Sequence, residues 1–292
     1  MQGQLEIVTG KGGVGKTLIS SALAVRHARG KKRTLLITSE SQDHSHPVFD
    51  VMVSFEPQEL EEGLHIARMD AGLSLRDYIQ RKTKMSYIYL SVLKKPAVMK
   101  FLDALPLFNE LFTLGKIYDL VTESDFERVV FDAPSTGHCS LLLNVPVVAV
   151  QTLAGGPIHE SAEKILNMLR SPDQTQLVVA SLPEETPVRE TLELIDYARK
   201  NDLRCERLYL NRYRKKKFDS SELRKLNTWS KNANDALPLV EAAEFDTAVA
   251  EEQLKQAQCF AGEEMSIVKL PDVAGDNAVV LSELLSHLEE QS

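Results

Sequence analysis

The chain has only three cysteines in 292 residues, Cys139, Cys205 and Cys259, and no Cys-x-x-Cys pair. An odd, scattered set gives neither a disulfide scaffold nor a zinc clip. Long apolar runs are missing too. The longest candidate, Cys139 to Leu153, is interrupted by Asn144, Pro146 and Gln151, short of the roughly 18 apolar residues of a membrane span. Positive charge is in deficit, with 34 Lys and Arg against 42 Asp and Glu, a net −8. The whole molecule therefore lacks the positive field that polyanion binding needs, and neither nucleic acid nor an integral membrane association is expected. The opening Met-Gln-Gly-Gln-Leu-Glu has no basic stretch before its first apolar run, which predicts a cytoplasmic chain.

What is present alternates. Short apolar runs at Leu5 to Thr9, Thr34 to Thr38, His65 to Met69, Arg128 to Phe131, Gln176 to Ser181, Glu206 to Leu210 and Ser266 to Leu270 read as strands. Between the first two, Leu18, Ala22, Leu23, Val25 and Ala28 recur at helical spacing, with Gly30 expected as a left-handed C-terminal cap. Strands separated by helices predict crossover connections and a doubly wound, mainly parallel α/β sheet. A single domain over 1–292 is expected, with helical insertions at about 74–123 and 213–263, where no strand pattern stands out. After His138 the valines favour strand, while Leu141 to Leu143 suit the start of a buried helix.

Gly10-Lys11-Gly12-Gly13-Val14-Gly15-Lys16-Thr17 fits G-x-x-x-x-G-K-[ST], and it follows a strand and opens a helix, as a phosphate loop must. Its backbone N–H groups and the helix N-terminus face negative charge. In this reading Gly12, Gly13, Val14, Gly15, Lys16 and Thr17 wrap a nucleoside triphosphate, Lys16 reaching the β- and γ-phosphates and Thr17 binding Mg²⁺. Lys11 is the unusual residue: a second lysine early in the loop marks the deviant Walker A subgroup, where it contacts a nucleotide held by a facing subunit. It then acts like an arginine finger, neutralising transition-state charge only when two protomers close.

Phe126 to Asp132 is an apolar strand ending in a carboxylate, a Walker B pattern in which Asp132 holds the Mg²⁺ shell through a water. The following Ala133-Pro134-Ser135-Thr136-Gly137-His138 suits a loop that rearranges around a γ-phosphate. Ser39-Glu40-Ser41-Gln42-Asp43-His44-Ser45-His46 falls at the strand edge beside the phosphate loop, where Glu40 or Asp43 can orient the attacking water; its acids and histidines also suggest a weaker metal-cluster reading. Arg212 to Lys217, five basic residues in six, reads as a solvated loop or, more sharply, as a rim contacting nucleotide or an anionic partner.

Together these motifs resemble the anion-transporting ATPase family, which contains arsenite-pump ATPases and tail-anchored-protein targeting ATPases. Thr9 to Thr17 repeats the family's T-G-K-G-G-V-G-K-T. Phe131 to His138 corresponds to its second switch, and Leu182-Pro183-Glu184-Glu185-Thr186-Pro187-Val188-Arg189-Glu190-Thr191 to a third motif. The resemblance implies that Asn211 and Pro271 flank the adenine, that the segment after His138 is helical, and that Glu40 stands at the catalytic Asp position. It also implies a homodimer, or a heterodimer with a paralogue, closing on ATP around a protein client. Glu40 is one methylene longer than the family's Asp, and a misplacement near 1 Å can cost about 100-fold in rate. A slow enzyme or a weakly hydrolysing regulatory subunit is the alternative. A DNA-partitioning ATPase and a small-molecule kinase are the remaining readings. The first draws only on the basic run, and the second has no use for Lys11.

Overall fold

A computed structural model describes residues 3–39, 44–81, 106–230 and 237–290. The chain opens with β1 (Gln4–Gly10), α1 (Lys16–Arg29) and β2 (Thr34–Thr38), followed by the small strands β3 (Ser45–His46), β4 (Val51–Met52) and β5 (Gln58–Glu61). Next come β6 (Leu64–Arg68), α2 (Ala71–Arg81), α3 (Pro106–Thr122), β7 (Arg128–Ser135), α4 (Thr136–Thr152), α5 (Pro157–Arg170) and β8 (Thr175–Ser181). The last part holds α6 (Glu185–Lys200), β9 (Cys205–Tyr213), α7 (Ser220–Ser230), α8 (Leu237–Gln258), β10 (Ser266–Pro271) and α9 (Asn277–Glu290).

Eight strands form one sheet in the order β10-β9-β8-β1-β7-β2-β6-β5. Every pair is parallel except β5 with β6. The expected doubly wound sheet is thus observed; each expected strand lies within one of its members except His65 to Met69, which overruns β6 by one residue. The strands read as continuous apolar runs because both faces are covered. Leu5, Ile7, Leu35, Ile37, Val129 and Phe131 face the layer of α3, α4, α5 and α6. Val8, Leu36, Ile66, Val130 and Tyr209 face α1 and α9. At roughly 2 kcal/mol for each large side chain removed from water, these two layers hold the strand ends in register. Val8, Asp132 and Thr38 share one row across β1, β7 and β2.

Three local expectations are revised or resolved. Gly30 is not the left-handed cap: its φ is −74°, and Lys31 takes the positive φ of 60° instead. The helix winds one residue further, with Gly30 N–H donating to Arg26 O at 3.1 Å and Lys31 N–H to Ala28 O at 2.8 Å. The segment after His138 is helical, as the resemblance implied, and carries Pro146 within α4. Burial of Cys139, Leu142, Leu143, Val145 and Ala149 against the sheet overrides the strand propensity of its valines. The basic run leaves β9 as a loop with exposed lysines, as the solvated-loop reading expects, but three of its cations are paired. Arg214 pairs with Asp246 and Asp272, Lys216 with Glu251, and Lys217 with Asp246, so it fastens β9 to α8 and to the end of β10. The antiparallel edge strand β5 was not expected, because Gln58-Glu59-Leu60-Glu61 offers mostly polar residues with no apolar alternation. Among the described residues, no helix is long and apolar enough to cross a membrane.

Candidate phosphate-loop site

The C-terminal ends of β1, β2, β7, β8 and β9 converge on the loop Gly10–Thr17. Gly10 ends β1 so close to β8 that a Cβ there would lie 2.0 Å from the Ala180 carbonyl oxygen. A backbone atom cannot yield as a flexible side chain can. Gly10→Ala is therefore expected to cost about 3 kcal/mol, at the upper end for overpacking, read as a lowered urea midpoint. Gly12→Ala is the control: nothing lies within 4 Å of its added Cβ, and its stability change should stay within about 0.5 kcal/mol. Equal effects at the two positions would refute the packing account.

Gly15, at φ 95°, starts α1. A Cβ there would approach Asn211 Nδ2 to 2.4 Å. The Asn211 amide donates to the Val14 carbonyl at 2.9 Å and accepts from Arg212 N–H at 3.0 Å. The structure thus places Asn211, which is buried, as a brace under the loop, while Pro271 ends β10 at the sheet edge. Pro271 lines a cavity of about 520 Å³ with Tyr213, Arg214, Lys269 and His287.

The reactive groups sit along the loop and the end of β7. Lys16 Nζ donates to the Lys11 carbonyl at 3.0 Å. Burial lowers the Lys16 pKa, opposed by the charge of Asp132. The Thr17 hydroxyl donates to Asp132 Oδ2 at 2.7 Å. Asp132 is 7% exposed, and its other oxygen, Oδ1, is buried with no hydrogen-bond partner. Burial pushes the Asp132 pKa up to about 6, against the pull of Thr17, Lys16 and Ser20. A buried carboxylate oxygen without a donor, beside a threonine hydroxyl at a helix N-terminus, is the donor set a hydrated Mg²⁺ requires. These residues fit that ion.

The two switch segments are tied to this point. Ser39 Oγ donates to the Asp132 carbonyl at 2.6 Å and Thr9 Oγ1 to the Pro134 carbonyl at 2.9 Å. Lys11 Nζ pairs with Glu190 Oε1 at 3.0 Å, and the other Glu190 oxygen accepts from Thr136 Oγ1 at 3.2 Å. Sequence reasoning gave no role to Ser39 or Glu190. Glu190 was visible only as part of the Leu182 to Thr191 motif. Glu40 and Asp43 lie outside the described residues. Among the described residues no group of three His, Cys, Asp or Glu side chains can hold a metal. The cysteines do not assemble one: Cys139 is buried, Cys205 half-buried and Cys259 exposed.

The family described as anion-transporting ATPase matches residues 4–155, just over half of the chain. Among curated proteins, ATPase BagA of Mycobacterium tuberculosis is 29% identical over 222 residues, covering 72% of this chain and 65% of its own length. ATPase ASNA1 homolog 1 of Paramecium tetraurelia is 27% identical over 140 residues, covering 48% of this chain and 42% of its own. The chain thus matches less than two thirds of the length of these relatives.

Proposed function

The chain belongs to the anion-transporting ATPase family, and from that premise we propose that it binds and hydrolyses ATP and acts as an ATP-closed dimer on a protein client or partner. The observation that carries the ATPase reading is the Thr17–Asp132 bond with the unpartnered Asp132 oxygen beside it. Thr17 and Asp132 would hold Mg²⁺, which when bound neutralises charge on the phosphates. The Gly12–Gly15 backbone cradles the triphosphate. Lys16 exchanges the Lys11 carbonyl for phosphate oxygens, since its ammonium is already held over the loop. Glu40 orients the attacking water. Asn211 and Pro271 bound the adenine side, Asn211 through the same amide that braces Val14.

Lys11 supports the dimer. Its side chain is one third exposed, as a group that acts on a facing protomer must be. The basic run gives no support to a DNA partner, because Arg214, Lys216 and Lys217 are already paired with carboxylates. Purified chain is expected to release phosphate from ATP with Mg²⁺, and Lys16→Ala should lower that rate about 100-fold or more, as for loss of a preorganised charge contact. Tight nucleotide binding without turnover would replace the enzyme with a nucleotide-binding regulatory subunit. A phosphorylated small molecule in place of free phosphate would make it a kinase.

A further inference from the structure

We propose that Glu190 is a positioning residue that holds Lys11 within its own chain, so that a facing nucleotide-loaded copy must displace Glu190 to use that lysine. This rests on the reading of Lys11 as a group that acts across a dimer. One carboxylate serves two loops. Its Oε1 pairs with the phosphate-loop ammonium at 3.0 Å, and its Oε2 takes the hydroxyl of Thr136 at 3.2 Å. Thr136 is the first residue of α4, four positions beyond Asp132. Glu190 therefore links the phosphate loop and the second switch through α6.

The strength of the pair suits the role. Both side chains are about one third exposed, and exposed ion pairs are weak. A buried pair would resist release, because separating it strands a charge in low dielectric. Room for the exchange is present: Thr136, Gly137, Ser140, Arg189 and Glu190 line a cavity of about 470 Å³ beside the pair. Arg189 and Glu193 are the other charged groups in that cavity. The Lys11 pair is the chief influence holding the Glu190 carboxyl below its ordinary range, so the carboxylate is charged at neutral pH.

Two measurements on the full chain test this. In the nucleotide-free protein, the acylation rate of the Lys11 amine is followed by mass spectrometry, with the other lysines as internal standards. Glu190→Gln is expected to raise the Lys11 rate about three- to five-fold, the range that loss of an exposed ion pair allows. Glu190→Asp should recover part of the protection. Next, sedimentation with Mg²⁺ and a non-hydrolysable ATP analogue should show Glu190→Gln self-associating at about three- to five-fold lower concentration. High salt should bring the unaltered chain toward the variant, because surface pairs are screened. Thermal melting confirms that the variant folds. Unchanged Lys11 reactivity, or weaker self-association in Glu190→Gln, overturns the proposal. If Lys11→Ala closes normally, the dimer reading itself fails, whereas the amine rates still report the in-chain pair.

Discussion

Asp132→Asn is expected to stabilise the nucleotide-free protein while reducing Mg²⁺-dependent ATP hydrolysis about 10- to 100-fold, the loss typical of disrupting a metal's surroundings. Both halves come from the same geometry. Asp132 is buried, with Oδ2 bonded to Thr17 and Oδ1 facing no donor. Without the ion, the burial of that carboxylate outweighs the pull of Thr17, Lys16 and Ser20. The raised pKa, about 6 against an ordinary 3.8, expresses the same cost. A carboxylate raised in the folded state contributes stability below its ordinary pKa and loses it as pH rises through about 6. The metal-free protein should therefore weaken between pH 5 and pH 7.5, whereas the Asn variant should not carry this component. The gap at pH 7.5 should be about 3 kcal/mol, a rise in melting temperature of roughly 5 °C for a domain of this size. Asn retains an acceptor for Thr17, so that bond survives. Calorimetry in chelator at both pH values checks the stability, and phosphate release checks the activity. A variant that melts lower at pH 7.5 would show that the orphaned oxygen carries no such cost.

The legible parts of this molecule are those where local chemistry and tertiary context agree. Gly10 to Thr17 was readable because Gly10, Gly13 and Gly15 meet backbone demands that few other residues satisfy, a close approach of Ala180 at the first and a positive φ at the other two. The strands β1, β2 and β7 were readable because they are buried on both faces. Asp132 was readable from its place at the end of such a strand. Elsewhere, local signals competed. Gly30 and Lys31 exchanged roles because one more helical residue gave the last turn its carbonyl partners, which outweighed the mild cost of a positive φ at lysine. β5 was hidden because an edge strand facing solvent needs no apolar pattern. Glu190 could not be found from spacing at all. It is 179 positions from Lys11, and only the packing of α6 beside β1 and α4 brings them together. Asn211 was marked by resemblance as an adenine contact, and its bond to Val14 came from the tertiary arrangement.

Lys11→Ala should leave ATP binding by the monomer within about threefold of the unaltered chain, since an exposed ion pair contributes little to the loop. It should also prevent nucleotide-dependent closure and lower hydrolysis about 1000-fold, the lower end for loss of a charge supplied in trans. Lys16→Ala differs by weakening nucleotide binding as well, because its ammonium already lies over the loop. The sharper discrimination comes from mixing two inactive chains. In a dimer of Lys11→Ala with Asp132→Asn, the intact Lys11 of one chain faces the intact Asp132 site of the other. If the lysine acts across the interface, that site is complete. Lys11→Ala pairs do not close, so the closed dimers are the mixed ones and those of Asp132→Asn; each mixed dimer carries one working site, and the recovered rate is at most about half that of unaltered dimers. If Lys11 acts only within its own chain, neither site in the mixed dimer is whole and nothing is recovered. Sedimentation of the mixture with ATP establishes that dimers are present. Recovery of hydrolysis above that of either chain alone therefore identifies the second copy as the source of the cation, and none, with mixed dimers in hand, removes Lys11 from any role beyond its own loop.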